Sequence, residues 1–366
     1  MPSEIEVRVQ AQALSDFCVR VFRKMAVSEL DARIAADVLV AADLRGVSSH
    51  GVGHLGRYVD GLRRGVIAAQ PQEQIIVETP GTATMDAANG LGAPVSVRAM
   101  QRAIQKALTV GSGFVAVRHS NHFGIAGYYA MLALEHNCIG LALTNASPIV
   151  VPTLGSKPMI GTNPIAVAAP AGTERPFVLD MASSTVALGK VEIAERLDTP
   201  IPEGWLVNER GQPLTDAHQA LERIKTRAGV GLLPLGGAGE LLGGHKGYGL
   251  SLWVDIMCGV LAGAAYADLN GPRTSDGRRL VADVGHFFGA WRIDAFRPAD
   301  EFKAMMDDLQ RRLKHAPKAE GEDRIYIAGE KEYEAAERNL REGVPLHPKL
   351  AAELQALAEE LGVEGF

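Results

Sequence analysis

Apolar and polar positions follow a helical period at both ends of the chain and give way to short apolar runs in the middle. In the first third, apolar residues recur every three or four positions, which is typical of amphipathic helices. The predicted helices cover residues 9–25, 29–44 behind the candidate cap Ser28, and 52–64, which Gly65 ends. From about Pro298 a charged segment returns to the helical period, and a closing helix is predicted over 349–361.

The middle of the chain predicts a sheet. Two short strands near 74–77 and 83–86 precede a long helix over about 93–110. From Gly113 onward, apolar runs alternate with loops rich in Gly, Pro and Asn. The predicted buried strands cover 113–117, 139–143 and 165–169, and the predicted flanking helices cover 126–136, 184–195 and 248–264. Together these elements predict an α/β fold.

The length of 366 residues exceeds one ordinary hydrophobic core, so we expect more than one unit. The pattern suggests three segments. Residues 1–110 form a mainly helical part, 111–297 an α/β part built on the sheet, and 298–366 a helical part that packs back on the first.

Charge and cysteine content narrow the classes of partner. The net charge is -6, and acidic and basic residues are interspersed, which gives no basic surface for nucleic acid. The three cysteines are odd in number and far apart, as in reduced proteins. The polar start Met1 to Glu6 does not resemble a signal peptide, and no apolar run reaches membrane-spanning length. We therefore expect a cytoplasmic protein that acts on small molecules and binds no membrane.

The clearest candidate for chemistry is the segment Ser120-Asn121-His122-Phe123-Gly124, between a predicted strand and a predicted helix. Loops at strand ends carry the active residues of many α/β enzymes. His122 would be presented there, and imidazole exchanges protons near neutral pH. The alternative is a histidine that merely caps or packs the turn.

Three common functional motifs are only partly matched in this sequence, and we reject each of them. Residues 111–116 match the dinucleotide fingerprint in spacing, but they follow a helix and open a strand, so Gly111 is interpreted as a helix stop. His50 and His54 have the spacing of two zinc ligands on a helix, yet the zincin glutamate is missing and glycines interrupt the helix; we predict no metal. Ser49 lacks the nucleophile elbow of a serine hydrolase.

Several short motifs, in order from about residue 10 to the C-terminus, resemble the type-2 malate/L-lactate dehydrogenase family. These are Asp43-Leu44-Arg45-Gly46, Ser49-His50-Gly51-Val52, Ser120-Asn121-His122-Phe123-Gly124, Gly161-Thr162-Asn163-Pro164, Leu179-Asp180-Met181-Ala182-Ser183, Gly189-Lys190, His245-Lys246-Gly247-Tyr248-Gly249 and Ala328-Gly329-Glu330. The resemblance implies NAD or NADP as cofactor, hydride transfer on small 2-hydroxy or 2-oxo acids, and a homodimer. It also implies a nucleotide-binding domain that is not a Rossmann fold, with a mixed sheet flanked by helices, beside a mainly helical domain.

By the same resemblance, His122 is the acid/base residue, and His50 is a rival proton donor. The substrate would meet Ser49, His54, Arg57, Arg45 and Asn121. For Ser49 and His50 the alternative is a helix cap and a packed imidazole.

The cofactor would lie along several loops of the middle and last segments. The expected contacts are Ser120, Ala146, Thr162, Asn163, Pro164, Asp180, Met181, Ala182, Lys190, His245, Lys246, Gly247, Gly329 and Glu330. Simpler alternatives exist for some of them: Asp180 could cap the helix that follows it, residues 162–164 could form a plain turn, and Lys190 and Lys246 could be solvated lysines.

Two positions depart from the family pattern. His54 stands where most members carry an arginine, the residue best suited to a bidentate carboxylate contact. Ala146 stands where relatives often have serine. Arg57 or Arg45 could then hold the substrate carboxylate instead.

The sequence therefore predicts an NAD(P)-dependent oxidoreductase of small 2-hydroxy acids with His122 as acid/base. One alternative is a reductase of cyclic imino acids on the same fold. Another, of a different class, is a nucleotide-binding regulatory subunit without catalysis.

Overall fold

The computed structural model describes residues 6–226, 228–271 and 280–366. Most of the N-terminal segment from which we inferred the lack of a signal peptide lies outside these ranges. The helices are α1 Ala11–Lys24, α2 Glu29–Leu44, α3 Leu55–Arg63, α4 Gly92–Val110, α5 Ala126–Met131, α6 Leu188–Arg196, α7 Ala217–Lys225, α8 Gly244–Asp255, α9 Ala299–Lys314, α10 Glu330–Glu342 and α11 Pro348–Leu361. The strands are β1 Val7–Val9, β2 Gln74–Glu78, β3 Thr82–Asp86, β4 Ser112–Ser120, β5 Cys138–Thr144, β6 Ile165–Ala169, β7 Phe177–Met181, β8 Leu206–Val207, β9 Gly231–Leu232, β10 Val284–Arg292 and β11 Val344–Leu346.

The N-terminal helices largely follow the prediction. Ser28 caps α2, since its side chain accepts a hydrogen bond from the Asp31 amide at 3.1 Å. Two predicted starts were wrong. Val9 belongs to β1, which pairs with β11 at the other end of the chain. The third helix begins at Leu55 instead of Val52, because residues 48–54 form two short 3₁₀ turns around Gly51.

A seven-stranded mixed sheet in the order β2-β3-β4-β10-β5-β6-β7 forms the middle of the described structure. Its β3 and β4 strands are parallel, and its other neighbouring pairs are antiparallel. The predicted strands appear in their expected places. The α/β class and the mixed sheet flanked by helices are confirmed.

The central strand β10 was not predicted. It begins Val284-Gly285-His286, and this glycine and histidine interrupt the apolar run that would signal a buried strand. In the structure β10 pairs with both β4 and β5, so its partners come from residues about 140 to 180 positions earlier in the chain.

Several helix boundaries around the sheet also differ from the prediction. Helix α4 ends at Gly111, which adopts φ 96° as expected of a glycine stop. Helix α5 is much shorter than predicted, because the chain passes into a 3₁₀ turn at Leu134–His136 before β5. Helix α6 begins only at Leu188, and α8 passes into a π-turn at Ile256–Val260.

Two large apolar clusters organise the core. One lies between α4, α5 and the sheet and includes Met100, Phe123 and Tyr129. The other joins α1, α2 and α3 to β11 and α11, with Phe17 and Leu354 among its members. The first and last parts of the chain therefore share one core, and the sheet has its own.

Candidate active site

The turn that carries Ser49 and His50 is fixed by a hydrogen bond to a buried carboxylate. Asp43, at the end of α2, accepts a hydrogen bond from the Val52 amide at 2.7 Å and is only 3% exposed. A Cβ at Gly51 would lie 2.0 Å from an Asp43 carboxylate oxygen, so no other residue fits there without a shift. The two motifs around Asp43 and Ser49 are thus one structural unit.

His122 follows β4 and is half-buried, with its ring against α3. Its Nδ1 atom lies 2.7 Å from the hydroxyl of Tyr58, a buried residue of α3. A phenol can donate or accept, so Tyr58 can serve His122 in either proton state. When Nδ1 is bonded to Tyr58, Nε2 is the nitrogen left to exchange a proton with a substrate.

Three imidazoles meet at this point. The ring centroid of His122 lies 4.9 Å from that of His54 and 5.6 Å from that of His50. Nδ1 of His50 lies 2.9 Å from the Ser49 hydroxyl, and Nε2 of His54 lies 2.8 Å from the Ser49 carbonyl oxygen. The carbonyl can only accept, so Nε2 of His54 carries a proton. Within the described residues, no set of three or more His, Cys, Asp or Glu side chains is arranged to hold a metal ion.

The electrostatics of the cluster favour neutral imidazoles. Burial holds the pKa of His122 well below its usual value, and His54, Arg57 and His50 add to the effect. Burial and the Arg57 charge also lower the pKa of His50. Burial raises the pKa of the Tyr58 hydroxyl, which keeps the phenol protonated. The neutral form of His122, the form that can accept a proton, therefore predominates near neutral pH.

Of the two arginines predicted to contact the substrate, only Arg57 lies near the imidazole cluster. Arg57 is exposed on α3, and its charge acts on His50, Tyr58 and His122. Arg45 instead stacks over the Tyr333 ring, 4.8 Å from its centroid, and its charge lowers the pKa of Asp180.

The Asn121 side chain is nearly fully buried. Its amide nitrogen donates to the carbonyl oxygens of Asn89 and Gly90, at 3.1 and 2.8 Å. The amide thus fixes the base of the loop, and the structure gives Asn121 a partner other than a substrate.

The loop of residues 161–164 lies beside the end of β5. Asn163 is buried, with φ 37°; its Oδ1 accepts from the Ala146 amide at 3.1 Å and its Nδ2 donates to the Ser251 carbonyl at 3.0 Å. A Cβ at Gly161 would lie 2.4 Å from the Ala146 carbonyl oxygen. Ser183 donates to the Thr162 carbonyl, which joins this loop to the segment after β7. Thr162, Pro164, Met181 and Ala182 are partly exposed along this line.

Asp180 lies within β7, and the expectation that it caps the next helix was wrong because α6 begins eight residues later. Its Oδ2 accepts from the Gly127 amide at 2.7 Å, so it caps the start of α5 instead. The residue is exposed, yet crowding of the carboxyl group by protein raises its pKa to about 6. The Gly329 segment packs on the same strand, since a Cβ there would lie 2.9 Å from Val178 Cβ.

The remaining predicted cofactor contacts fall into two groups. Lys190, His245 and Lys246 are exposed, and the last two lie in the first turn of α8, as expected for Lys246. Gly247 and Glu330 are buried and have structural partners. A Cβ at Gly247 would lie 2.1 Å from the Leu235 carbonyl oxygen, and the Glu330 carboxylate pairs with Lys314 and Arg324.

The substrate turn and the predicted cofactor loops approach each other. A Cβ on Gly189, in the first turn of α6, would lie 3.9 Å from Ser49 Cβ, and Ser120 adjoins the loop of His122. Backbone groups and glycines line the 146, 161–164 and 180–182 segments, as a dinucleotide needs for close approach. The residues present therefore fit a nicotinamide dinucleotide placed between these loops and the imidazole cluster.

Sequence reasoning missed two residues that contact His122 or its loop. Tyr58 stands four residues after His54, which precedes α3, and this spacing of one helical turn could have been noticed. His286 lies on the unpredicted strand β10 and hydrogen-bonds Ser120. No local pattern marks it.

The chain matches the malate/L-lactate dehydrogenase family over residues 9–355. It is 45% identical to a malate dehydrogenase of Pyrococcus abyssi over 360 residues, which cover 98% of this chain and 96% of that one. It is 38% identical to an L-sulfolactate dehydrogenase of Methanocaldococcus jannaschii over 94% of each chain. The solved malate dehydrogenase of Entamoeba histolytica superposes with a TM-score of 0.93 at 36% identity, covering 98% of this chain and 99% of that one.

The chain belongs to the malate/L-lactate dehydrogenase family, which confirms the resemblance drawn from its motifs. Among the described helices none is both long and apolar enough to cross a membrane.

Proposed function

We propose that this protein is an NAD(P)-dependent dehydrogenase that oxidises small 2-hydroxy acids, with L-malate as the first substrate to test. The observation that carries the proposal is the geometry at His122. Its Nδ1 is bonded to Tyr58, its ring lies beside the rings of His50 and His54, and the charge of Arg57 acts on it. The similarity to the Pyrococcus malate dehydrogenase supports malate over other acids.

In this proposal, His122 accepts the proton of the substrate C2 hydroxyl and returns it in the reductive direction. The bound nicotinamide supplies the hydride acceptor or donor. As His122 becomes charged, its Nδ1–H donates to the Tyr58 oxygen, so the buried cation keeps a partner. Ser49 and His50, which belong to the same cluster, would orient the substrate acid.

Arg57 is proposed to attract the substrate carboxylate, because its charge acts on the imidazole cluster and it is open to solvent. His54 stands beside His122 with its Nε2 proton committed to the Ser49 carbonyl. His54 would therefore contact the substrate through ring atoms other than Nε2. Arg45, whose charge acts on Asp180, would lie near the cofactor and not near the substrate.

The dinucleotide is proposed to lie along Ser120, Ala146, Thr162, Pro164, Asp180, Met181 and Ala182, with Lys190 and Lys246 as exposed anion contacts. This would make the mostly antiparallel sheet, instead of a Rossmann fold, the nucleotide-binding domain. The segments 1–110 and 298–366 would form a helical domain beside 111–297, consistent with the core shared by α1 and α11.

We also propose a homodimer. Exposed apolar side chains recur at helical spacing along α8 and the turn after it: Leu250, Trp253, Ile256, Val260 and Leu261. A soluble monomer rarely exposes such a stripe, and a second copy would cover it symmetrically. Sedimentation should give a dimer, and Val260→Asp should shift it toward monomer.

The activity is tested by following reduced nicotinamide absorbance with malate, lactate, sulfolactate and a cyclic imino acid, each with NAD and with NADP. Malate oxidation is expected to be fastest. Turnover of the imine alone would favour the reductase alternative. No turnover with any acid, despite dinucleotide binding, would favour a regulatory subunit.

A further inference from the structure

The loop that carries His122 is attached to the sheet through a buried histidine. His286, on β10, is fully buried and lies between two hydroxyls from the strands on either side. Its Nδ1 is 2.7 Å from the Thr144 hydroxyl of β5, and its Nε2 is 2.8 Å from the Ser120 hydroxyl of β4. Ser120 is two residues before His122.

Both ring nitrogens of His286 are engaged by these hydroxyls. A neutral imidazole donates from one nitrogen and accepts at the other, and a hydroxyl can do either, so the ring links Thr144 to Ser120 in either tautomer. The Thr144 oxygen also lies 3.0 and 3.1 Å from two backbone carbonyl oxygens. Burial lowers the pKa of His286 to about 3, so the ring is neutral near neutral pH.

A β-bulge brings Ser120 onto the face of the sheet where His286 lies. The pairing of β10 with β4 passes from His286↔Val117 to Val284↔Ser120, so two β4 residues, Arg118 and His119, oppose the single Gly285. Side chains alternate between the faces of a strand, and the extra residue reverses that alternation. Without the bulge, Ser120 would point to the opposite face.

The bulge is built at a cost to the backbone. His119 adopts φ 52°, which non-glycine residues rarely do, and its Nδ1 lies 2.8 Å from the Asp86 carboxylate. A Cβ at Gly285 would lie 1.7 Å from the Cys258 carbonyl oxygen, so only glycine fits opposite the bulge. Strain of this kind persists where the surroundings enforce it.

His286 also touches the residue after His122. The Phe123 ring stacks on the His286 ring with centroids 4.6 Å apart and planes 5° apart. Tyr129 stacks on Phe123 as well, at 4.8 Å, and its hydroxyl donates to the Phe123 carbonyl. The residues on both sides of His122 are thus held by one imidazole.

We infer that His286 is a positioning residue for His122, acting through its hydrogen bond to Ser120 and its stack on Phe123. It reaches no substrate, because it is fully buried. The inference rests on the proposed acid/base role of His122. Its expected signature is a loss of turnover without a matching loss of substrate or dinucleotide affinity.

The test uses two replacements of His286 that separate its contacts. His286→Phe keeps a flat ring beside Phe123 but makes neither hydrogen bond. His286→Gln keeps a donor and an acceptor but loses the ring. Thr144→Val removes the hydrogen-bond partner of His286 Nδ1 without touching the loop. Phe17→Leu, in the other apolar cluster, is the control for a general loss of stability.

With L-malate and the oxidised dinucleotide as probes, His286→Phe should lower kcat by about 10- to 100-fold, the usual effect of a misplaced catalytic group. KM for malate and Kd for the dinucleotide should stay within about threefold of the parent on the same reasoning. His286→Gln should retain most of kcat. Phe17→Leu should lower Tm and leave kcat unchanged.

A folded His286→Phe protein with kcat within about threefold of the parent would overturn the inference. If that variant does not fold, Thr144→Val decides by the same criterion. A Gln variant as slow as the Phe variant would refute the hydrogen bond to Ser120 as the route. Failure of the proposed role of His122 is seen separately, as full activity in His122→Ala, and failure of the proposed function as no turnover by the parent.

Discussion

Removal of one hydroxyl, in Tyr58→Phe, probes the proton chemistry of His122 most sharply. The Tyr58 hydroxyl is the hydrogen-bond partner of His122 Nδ1 at 2.7 Å, and Tyr58 is buried while His122 is half-buried. When His122 takes up a proton during oxidation, its Nδ1–H needs an acceptor. The phenylalanine variant leaves that charged donor unpaired.

The size of the effect follows from the hydrogen bond that is lost. A bond to a charged group contributes about 1.5–3 kcal/mol. Each 1.36 kcal/mol is a factor of ten in rate, so kcat for oxidation should fall by roughly 10- to 150-fold. The cation is disfavoured, so the pKa of His122 should fall further below its already lowered value.

The assay is the pH profile of kcat/KM for malate oxidation. Oxidation needs neutral His122, so activity is lost as pH falls through the pKa of that imidazole. In Tyr58→Phe the acid limb should move to lower pH by about one to two units, the shift equivalent to the same free energy. Tyr128→Phe is the matched control, because its hydroxyl bonds Asp37 outside the cluster. A Tyr58→Phe enzyme with kcat within about threefold of the parent and an unmoved acid limb would refute the assignment.

Three further predictions test other parts of the site. Burial raises the pKa of Asp43 from 3.8 to about 7, so the stability that the protonated group contributes is lost as pH rises from about 4 to about 7. Asp43→Asn should therefore gain stability relative to the parent over that range in thermal unfolding, and a constant difference would contradict this. Asp180→Ala should weaken dinucleotide binding about tenfold, as measured by fluorescence titration, with little change in kcat at saturating dinucleotide. A lowered Tm with an unchanged Kd would mean that Asp180 only caps α5 through the Gly127 amide. His54→Arg should lower KM for malate, because a guanidinium can hold the carboxylate through two hydrogen bonds. An unchanged KM would assign the carboxylate to Arg57 alone.

The sequence predicted those features of the fold that depend on neighbouring residues. Strand β6 and helix α4 appear where apolar spacing placed them, and Gly111 ends α4 as a glycine stop should. Strand β10 was missed because Gly285 and His286 interrupt its apolar run, and both are there for contacts with β4 and the turn after α8. Its identity as a strand is fixed by partners far away in the chain.

In the candidate site, too, the sequence identified the residues of local motifs but not those defined by distant partners. His122, His50, His54 and Ser49 were chosen from the sequence, and the structure brings these four together. The roles of Asp43 and His286 could not be predicted, because a buried polar residue looks like any other until its partner is known. Asn121 was expected at the substrate, yet its amide bonds the turn at Asn89 and Gly90.

The most direct test of the central claim is turnover of His122→Ala at saturating malate, with dinucleotide affinity measured on the same protein. The account predicts that kcat falls by about two to four orders of magnitude, the usual contribution of a positioned acid/base group, while the dinucleotide Kd is nearly unchanged. A variant that oxidises malate within about threefold of the parent rate would remove His122 from the mechanism and transfer the proton to His50.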